Sequence, residues 1–164
     1  MKAAKYPRAA RKAPAVRKAP AVRPAGAGRT VGADDPVRRI AVACARALDG
    51  KVAENVIVLD LRHRTAITDY AVIATGTSWP HLHALTDTVE EALDGIGGQL
   101  HHREGGPGSP WILLDCGSML VHLFDDAARR HYDLEQLWAE APRVKWASRG
   151  GPAATSPLKP HPPR

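Results

Sequence analysis

Residues 70–82 read YAVIATGTSWPHL, and this stretch combines a strand, a turn and the start of a helix. Its first six residues are apolar or β-branched without polar alternation, which predicts a central strand covered on both faces. Gly76-Thr77-Ser78 then turns the chain. Ser78 followed closely by Pro80 has the pattern of a helix N-cap with proline in the first turn. A strand that leads directly into a helix indicates the α/β class.

The sequence on either side of this stretch predicts the remaining elements. Asp35 before Pro36 marks the start of a first helix that Gly50 ends, and Asp125 is placed to cap a last helical region that reaches Trp138. Further strands are expected at residues 56–59, 99–104, 111–115 and 118–124, and Gly97-Gly98 end the second helix. The predicted order is α-β-β-α-β-β-β-α, an α/β fold with a mixed sheet.

The strands at 111–115 and 118–124 are predicted to form a hairpin with the loop Cys116-Gly117. This register pairs Asp115 with Ser118, Leu113 with Leu120, and Trp111 with His122 on one face, which Phe124 joins. The other face is wholly apolar and is therefore expected to pack against the helices. It carries Ile112, Leu114, Met119, Val121 and Leu123. Leucines and an indole rimmed by polar groups are typical of a protein-docking surface. Alternatively, another helix or a second subunit covers this face, and Trp111 belongs to the core.

Charge is unevenly distributed along the 164 residues. Residues 1–33 hold nine Lys/Arg and no acid, residues 34–146 hold eleven Lys/Arg against seventeen Asp/Glu, a net charge of −6, and residues 147–164 hold three bases and no acid. We therefore expect one acidic domain at 34–146 that prefers a basic partner, between two disordered tails rich in proline. The basic arm, which repeats RKAPAV, is interpreted as a nonspecific RNA contact or a solubilising extension. A transit peptide is less favoured because the arm lacks serine.

Composition and spacing argue against several classes of protein. No apolar run is long enough for a membrane span, and no apolar signal segment follows the basic N-terminus. Cys44 and Cys116 lack a C-x-x-C pattern, which argues against a thiolate zinc site and fits a reducing, cytoplasmic compartment. The adjacent or near-adjacent histidines diverge on their elements, so no metal and no cofactor are expected.

The turn at residues 76–78 keeps one enzymatic alternative open. A phosphate can bind at a helix N-terminus that follows a strand, and the turn resembles the Gly-Ser turn of nucleotidyltransferases. Those enzymes need convergent carboxylates to hold metal ions, whereas the later strand offers Asp115 alone. Asp60 and Asp69 lie on or near other strands. The sequence therefore predicts a binding protein, with a nucleotidyltransferase-like enzyme as the alternative.

Short motifs occur in a fixed order along the predicted domain. They are Ile67-Thr68-Asp69-Tyr70, Val72-Ile73-Ala74-Thr75-Gly76-Thr77-Ser78, Trp111-Ile112-Leu113-Leu114-Asp115, Val121-His122, and Tyr132-Asp133-Leu134-Glu135 followed by Leu137-Trp138. Their order and spacing over about residues 36–146 resemble the ribosomal silencing factor family, also called Iojap-like. The resemblance implies an α/β fold similar to nucleotidyltransferases but without the catalytic carboxylates.

The resemblance also implies a function and a set of site residues. Members bind ribosomal protein fourteen of the large subunit, block association of the small and large subunits, and repress translation; they tend to form homodimers off the ribosome. The family's tryptophan, aspartate and histidine fall on Trp111, Asp115 and His122. Many members carry an acid where this chain has Ser118, so any contact of that acid is lost or moved here. The expected partner-binding residues are Trp111, Leu113, Asp115, Ser118, Leu120 and His122, with the basic arm as an expected ribosomal RNA contact.

Overall fold

The computed structural model describes residues 35–147 of the chain. The helices are α1 (Pro36–Gly50), α2 (Trp79–Ile96), α3 (Asp126–Tyr132) and α4 (Leu134–Leu137), and the strands are β1 (Glu54–Asp60), β2 (Tyr70–Thr75), β3 (His102–Glu104), β4 (Trp111–Asp115) and β5 (Met119–Phe124). The predicted α/β class and order are confirmed, with the last helical region divided in two. The predicted tails, apart from residue 147, lie outside the described residues.

The predicted helix caps are present. Asp35 accepts a hydrogen bond from the backbone N–H of Val37 at 3.0 Å, with Pro36 in the first turn of α1. Ser78 caps α2 by accepting from the N–H of His81. Each side-chain oxygen satisfies a backbone donor that a helix start leaves without an intrahelical partner. These local bonds explain why both boundaries are readable from sequence.

The five strands of the described residues form one sheet in the order β1-β2-β5-β4-β3. β2 and β5 run parallel, and the other neighbouring pairs are antiparallel. Every residue of β2 is buried, which confirms the prediction of a central strand covered on both faces. Because β2 and β5 lie side by side in the middle of the sheet, β5 and its hairpin partner β4 are held on a rigid base.

The sheet has a first face that packs on α1 and α2. Its core includes Val58 and Val72, together with Leu48 of α1 and Leu85 of α2. The predicted apolar hairpin face is confirmed, since Ile112, Leu114, Met119, Val121 and Leu123 are all buried in this core. Burial of these side chains is the main favourable term that holds the helices to the sheet.

The hairpin register differs from the predicted one by two residues. The observed pairs are Trp111–Phe124, Leu113–His122 and Asp115–Leu120. The turn is Gly117-Ser118, closed by a 2.9 Å bond from the N–H of Cys116 to the carbonyl of Met119. Gly117 has a φ of 82°, and glycine is favoured at the first position of such a type II′ turn. The predicted pairs were therefore wrong and Ser118 lies in the turn, but a slip of two residues keeps the paired strand side chains on their predicted faces.

The last helical region divides at Asp133, whose backbone is left-handed with a φ of 41°. Residues beyond α4 then cross the outer edge of β1. The N–H of Asp60 donates to the carbonyl of Pro142, and the N–H of Val144 donates to the carbonyl of Val58, both at 2.9 Å. Arg143 thereby pairs with Leu59 as an antiparallel bridge. The chain thus closes one edge of its own sheet.

None of the helices within residues 35–147 has the length and apolar character needed to cross a bilayer.

Candidate partner-binding face

The second face of the sheet, opposite α1 and α2, divides into two regions. The first region, here the covered half, consists of Trp111, His122 and Phe124, over which α3 and the residues after it pack. The second region, here the open half, consists of Leu113, Leu120, Asp115, Glu104 and Asp69. Strand alternation and the observed register place the first four of these side chains on the same side of the sheet, and Asp69 immediately precedes β2.

The covered half is an aromatic cluster. The Trp111 indole lies 4.9 Å from the Phe124 ring and 4.7 Å from the Tyr132 ring, centroid to centroid. The His122 ring lies 5.9 Å from that of Trp138. Trp111 is only 5% exposed and His122 only 4%. The expectation of an open indole is therefore wrong: a helix covers it, which was the alternative interpretation of the sequence.

The polar atoms of the covered half are buried without partners among the described residues. Both ring nitrogens of His122 and Nε1 of Trp111 lack a hydrogen bond. Burial lowers the pKa of His122 to about 3, because the charged imidazolium cannot be solvated there. The imidazole is consequently neutral at physiological pH and packs as a flat, nearly apolar ring.

The open half has an apolar centre and an acidic border. Leu113 and Leu120 are half-buried on the adjacent strands β4 and β5. Asp115 lies opposite Leu120, and β3 brings Glu104 opposite Leu113. Asp69 precedes β2, and its N–H donates to the carbonyl of Ser118 at 2.9 Å. Two half-buried carboxylates therefore lie opposite the two leucines on neighbouring strands, and a third, Asp69, precedes the strand next to β5.

The six residues expected to bind a partner thus fall into three groups. Leu113, Leu120 and Asp115 lie in the open half; Ser118 is exposed in the hairpin turn; Trp111 and His122 form the floor of the covered half. The interpretation of the sequence missed Glu104 and Asp69 as members of this face. The sequence did predict a strand at residues 99–104. Pairing that strand with β4 would have placed Glu104 on this face.

The turn that suggested a nucleotide site is occupied by the chain's own groups. His81 Nδ1 accepts from the N–H of Thr77 at 3.1 Å, and the other ring nitrogen of His81 lies 2.9 Å from the carbonyl of Lys51. Asp60 is bound by Arg62, with 2.9 Å between Nε and Oδ1. Within residues 35–147, no three His, Cys, Asp or Glu side chains converge as a metal site would require. The geometry of the turn is that of a capped helix.

The chain is similar to a known protein family and to several of its members. A family model described as "Ribosomal silencing factor during starvation" matches residues 34–162. The Bacillus subtilis ribosomal silencing factor RsfS is 33% identical over 105 residues, covering 64% of this chain and 89% of that protein. A mouse protein, mitochondrial assembly of ribosomal large subunit protein 1, is 33% identical over 89 residues, 52% of this chain and 39% of its own length. A crystal structure of a Chromobacterium violaceum protein superposes with a TM-score of 0.60 at 28% identity, covering 73% of this chain and 96% of that one.

Proposed function

The chain belongs to the family of ribosomal silencing factors, and from this membership we propose that it binds ribosomal protein fourteen of the large subunit through the open half. Bound there, it blocks association with the small subunit and so represses translation. The name of the mouse relative, which refers to assembly of the ribosomal large subunit, supports the large subunit as the target.

The observation that carries the proposal is the combination of leucines and carboxylates in the open half. Leu113 and Leu120 supply an apolar centre that a partner can desolvate, and a few such central residues carry most of the energy of an interface. Asp69, Asp115 and Glu104 present negative charge around it. Ribosomal proteins are generally basic, because they bind RNA, so this border is complementary to the proposed partner. Complementary charge speeds encounter and fixes orientation.

The mechanism we propose is steric occlusion without chemical turnover. The open half lies on β4 and β5, and β5 is bonded directly to the fully buried strand β2. A binding surface on rigid strands loses little conformational entropy when a partner docks. The folded domain would then occupy the volume that the small subunit needs.

A subunit-association assay with a charge introduced into the open half tests this proposal. We expect the wild-type protein to sediment with large subunits and to reduce formation of joined ribosomes, and Leu120→Asp to do neither at the same concentration. Asp at this position buries a charge in the desolvated centre of the interface. Ile96→Asp, at the exposed end of α2, is the matched control and should behave as wild type.

Leu120→Ala provides a second, milder variant in case Leu120→Asp is poorly folded. It removes apolar contact area without adding charge, and we expect about 5- to 10-fold weaker binding to large subunits, equivalent to roughly 1 kcal/mol. Wild-type binding and wild-type inhibition of subunit joining by both folded variants would refute docking through the open half.

For the basic arm at residues 1–33 we propose an added, nonspecific contact with ribosomal RNA. Its nine Lys/Arg would neutralise phosphates and release counterions, which makes the added affinity depend on salt. Deleting residues 1–33 should therefore weaken binding to large subunits at low salt and have little effect at high salt. Equal affinities of the deleted and full-length proteins at every salt concentration would show that the arm contributes no contact.

A further inference from the structure

Leu137, the last residue of α4, is a large aliphatic side chain left in solvent. It is 69% exposed, and within the same short stretch Tyr132 is exposed and Trp138 is half-buried. A single exposed leucine is ordinary on a protein surface. Here, however, three large apolar side chains keep some exposure within seven residues, and two of them pack on the covered half.

Leu137 is next along the chain to Trp138, which is part of the aromatic cover of the sheet. Along β5, Phe124 is stacked with Tyr132 at 6.2 Å, and His122 packs beside Trp138 at 5.9 Å. The next residue on the same face is Leu120, which is half-exposed. The residue immediately before Trp138 is Leu137, so a partner that extends from Leu120 past His122 would come to the end of α4.

The position of α4 is fixed by contacts that a free four-residue helix would lack. Arg129 donates to Glu135 from Nε at 2.7 Å and to Oγ1 of Thr75, at the end of β2, at 2.9 Å. Leu134 is buried against the second face. A helix this short cannot be stable by itself, so these contacts hold the backbone of α4 in place before any partner arrives. A segment whose backbone is already fixed loses less entropy on binding than a free one.

We propose that Leu137 is a further anchor of the partner-binding face and that its occupant is the same basic large-subunit protein. The inference rests on the function proposed above. The methylene stems of Lys and Arg can cover apolar surface while their charged ends stay near carboxylates. The methylene stems of the partner's Lys and Arg residues would lie over Leu137 and Leu113. Their charged ends would then lie near Asp115. The face thus extends from the sheet onto α4.

The test compares Leu137→Asp with Val52→Asp in the full-length protein. Val52 is 77% exposed in the connection between α1 and β1, and its left-handed backbone suits Asp. Affinity for isolated large subunits is measured by sedimentation, and folding by urea unfolding. We expect Leu137→Asp to bind at least about 10-fold more weakly and Val52→Asp to bind as wild type. Leu137→Met, which keeps an apolar side chain of similar size, should retain wild-type affinity.

Leu120→Asp in the same assay separates the two proposals. Loss of binding by Leu120→Asp with unchanged binding by Leu137→Asp would overturn the inference and leave the proposed function intact. Unchanged binding by both folded variants would overturn the docking face itself and the inference with it. Loss of binding by both, with wild-type binding by Val52→Asp, is the result that supports a face shared by the sheet and α4.

Discussion

The covered half and the leucines of the open half lie on the same two strands, β4 and β5, and differ in what packs above them. In the covered half, Tyr132 and Trp138 pack over Trp111 and His122. In the open half, the same alternation of side chains presents leucines and carboxylates to solvent. The strand pattern therefore decides which side of the sheet a residue faces. A helix that comes later in the chain decides whether that residue is buried or left partly open to solvent.

Substitution in the covered half should cost the most stability. We expect Trp111→Ala to lower the free energy of unfolding by about 3–5 kcal/mol, because it removes a buried indole and leaves a cavity among the aromatic rings. Urea unfolding measures this. Trp79→Ala is the matched control, since Trp79 is 41% exposed, and should cost less than about 1 kcal/mol. A small effect of Trp111→Ala on unfolding combined with a large loss of binding would contradict the division into two halves.

The covered half should also make stability depend on pH. The unfolded chain protonates His122 near its ordinary pKa of 6.5, whereas the folded chain resists protonation down to a pKa of about 3. Stability is therefore lost as pH falls below 6.5, by about 2 kcal/mol from this residue between pH 7 and pH 5. His122→Leu removes the titration, so its unfolding free energy should fall less over that range. Parallel pH profiles for the two proteins would refute a buried neutral imidazole.

The acidic border of the open half should affect binding rather than stability. We expect the double variant Asp69→Asn with Asp115→Asn to associate with large subunits about 3- to 10-fold more slowly at low salt and to approach wild type at high salt. Asn at 115 can still accept the bond from the N–H of Gly117. The control variant neutralises Asp87 and Glu91, two exposed acids of α2. Equal slowing by the control would indicate a net-charge effect rather than a contact.

Ser118 should have the smallest effect. The exposed turn carries a serine where the family resemblance leads us to expect an acid in many members. We expect Ser118→Asp to strengthen binding to large subunits by about twofold, since an exposed charge beside Asp115 adds little attraction in water. Ser118→Asn is the neutral control. Unchanged binding of Ser118→Asp would place the turn away from the partner, and weaker binding, with the asparagine variant unchanged, would contradict a basic partner surface at this turn.

The contrast between the halves also shows what sequence can predict here. The caps at Asp35 and Ser78 were predictable because they depend on bonds to residues two or three positions away. The sheet faces were predictable because side chains alternate with a period of two, so the two-residue error in register left the faces unchanged. The turn was misplaced because glycine fits either position of a two-residue hairpin loop, and only the pairing of Cys116 with Met119 distinguishes them.

The burial of Trp111 could not be predicted in the same way. Tyr132 lies twenty-one positions further along the chain, and no local pattern states that α3 folds back over β4. The same long-range packing decides that Leu113, two residues after Trp111, stays half-exposed. The set of site residues predicted from one strand face therefore included both buried residues, such as Trp111, and partly exposed ones, such as Leu113.

The bridge between Leu59 and Arg143 has a consequence for how the protein can be shortened. An unprotected outer strand offers its amide and carbonyl groups to any extended chain, which is a common route to aggregation. Residues 142–144 occupy those groups on β1, and the opposite border, β3, is only three residues long. A truncation before Pro142 would expose the outer edge of β1, whereas one that keeps residues 142–144 and Trp146, which packs against the core on the α1 and α2 side, would leave that edge paired.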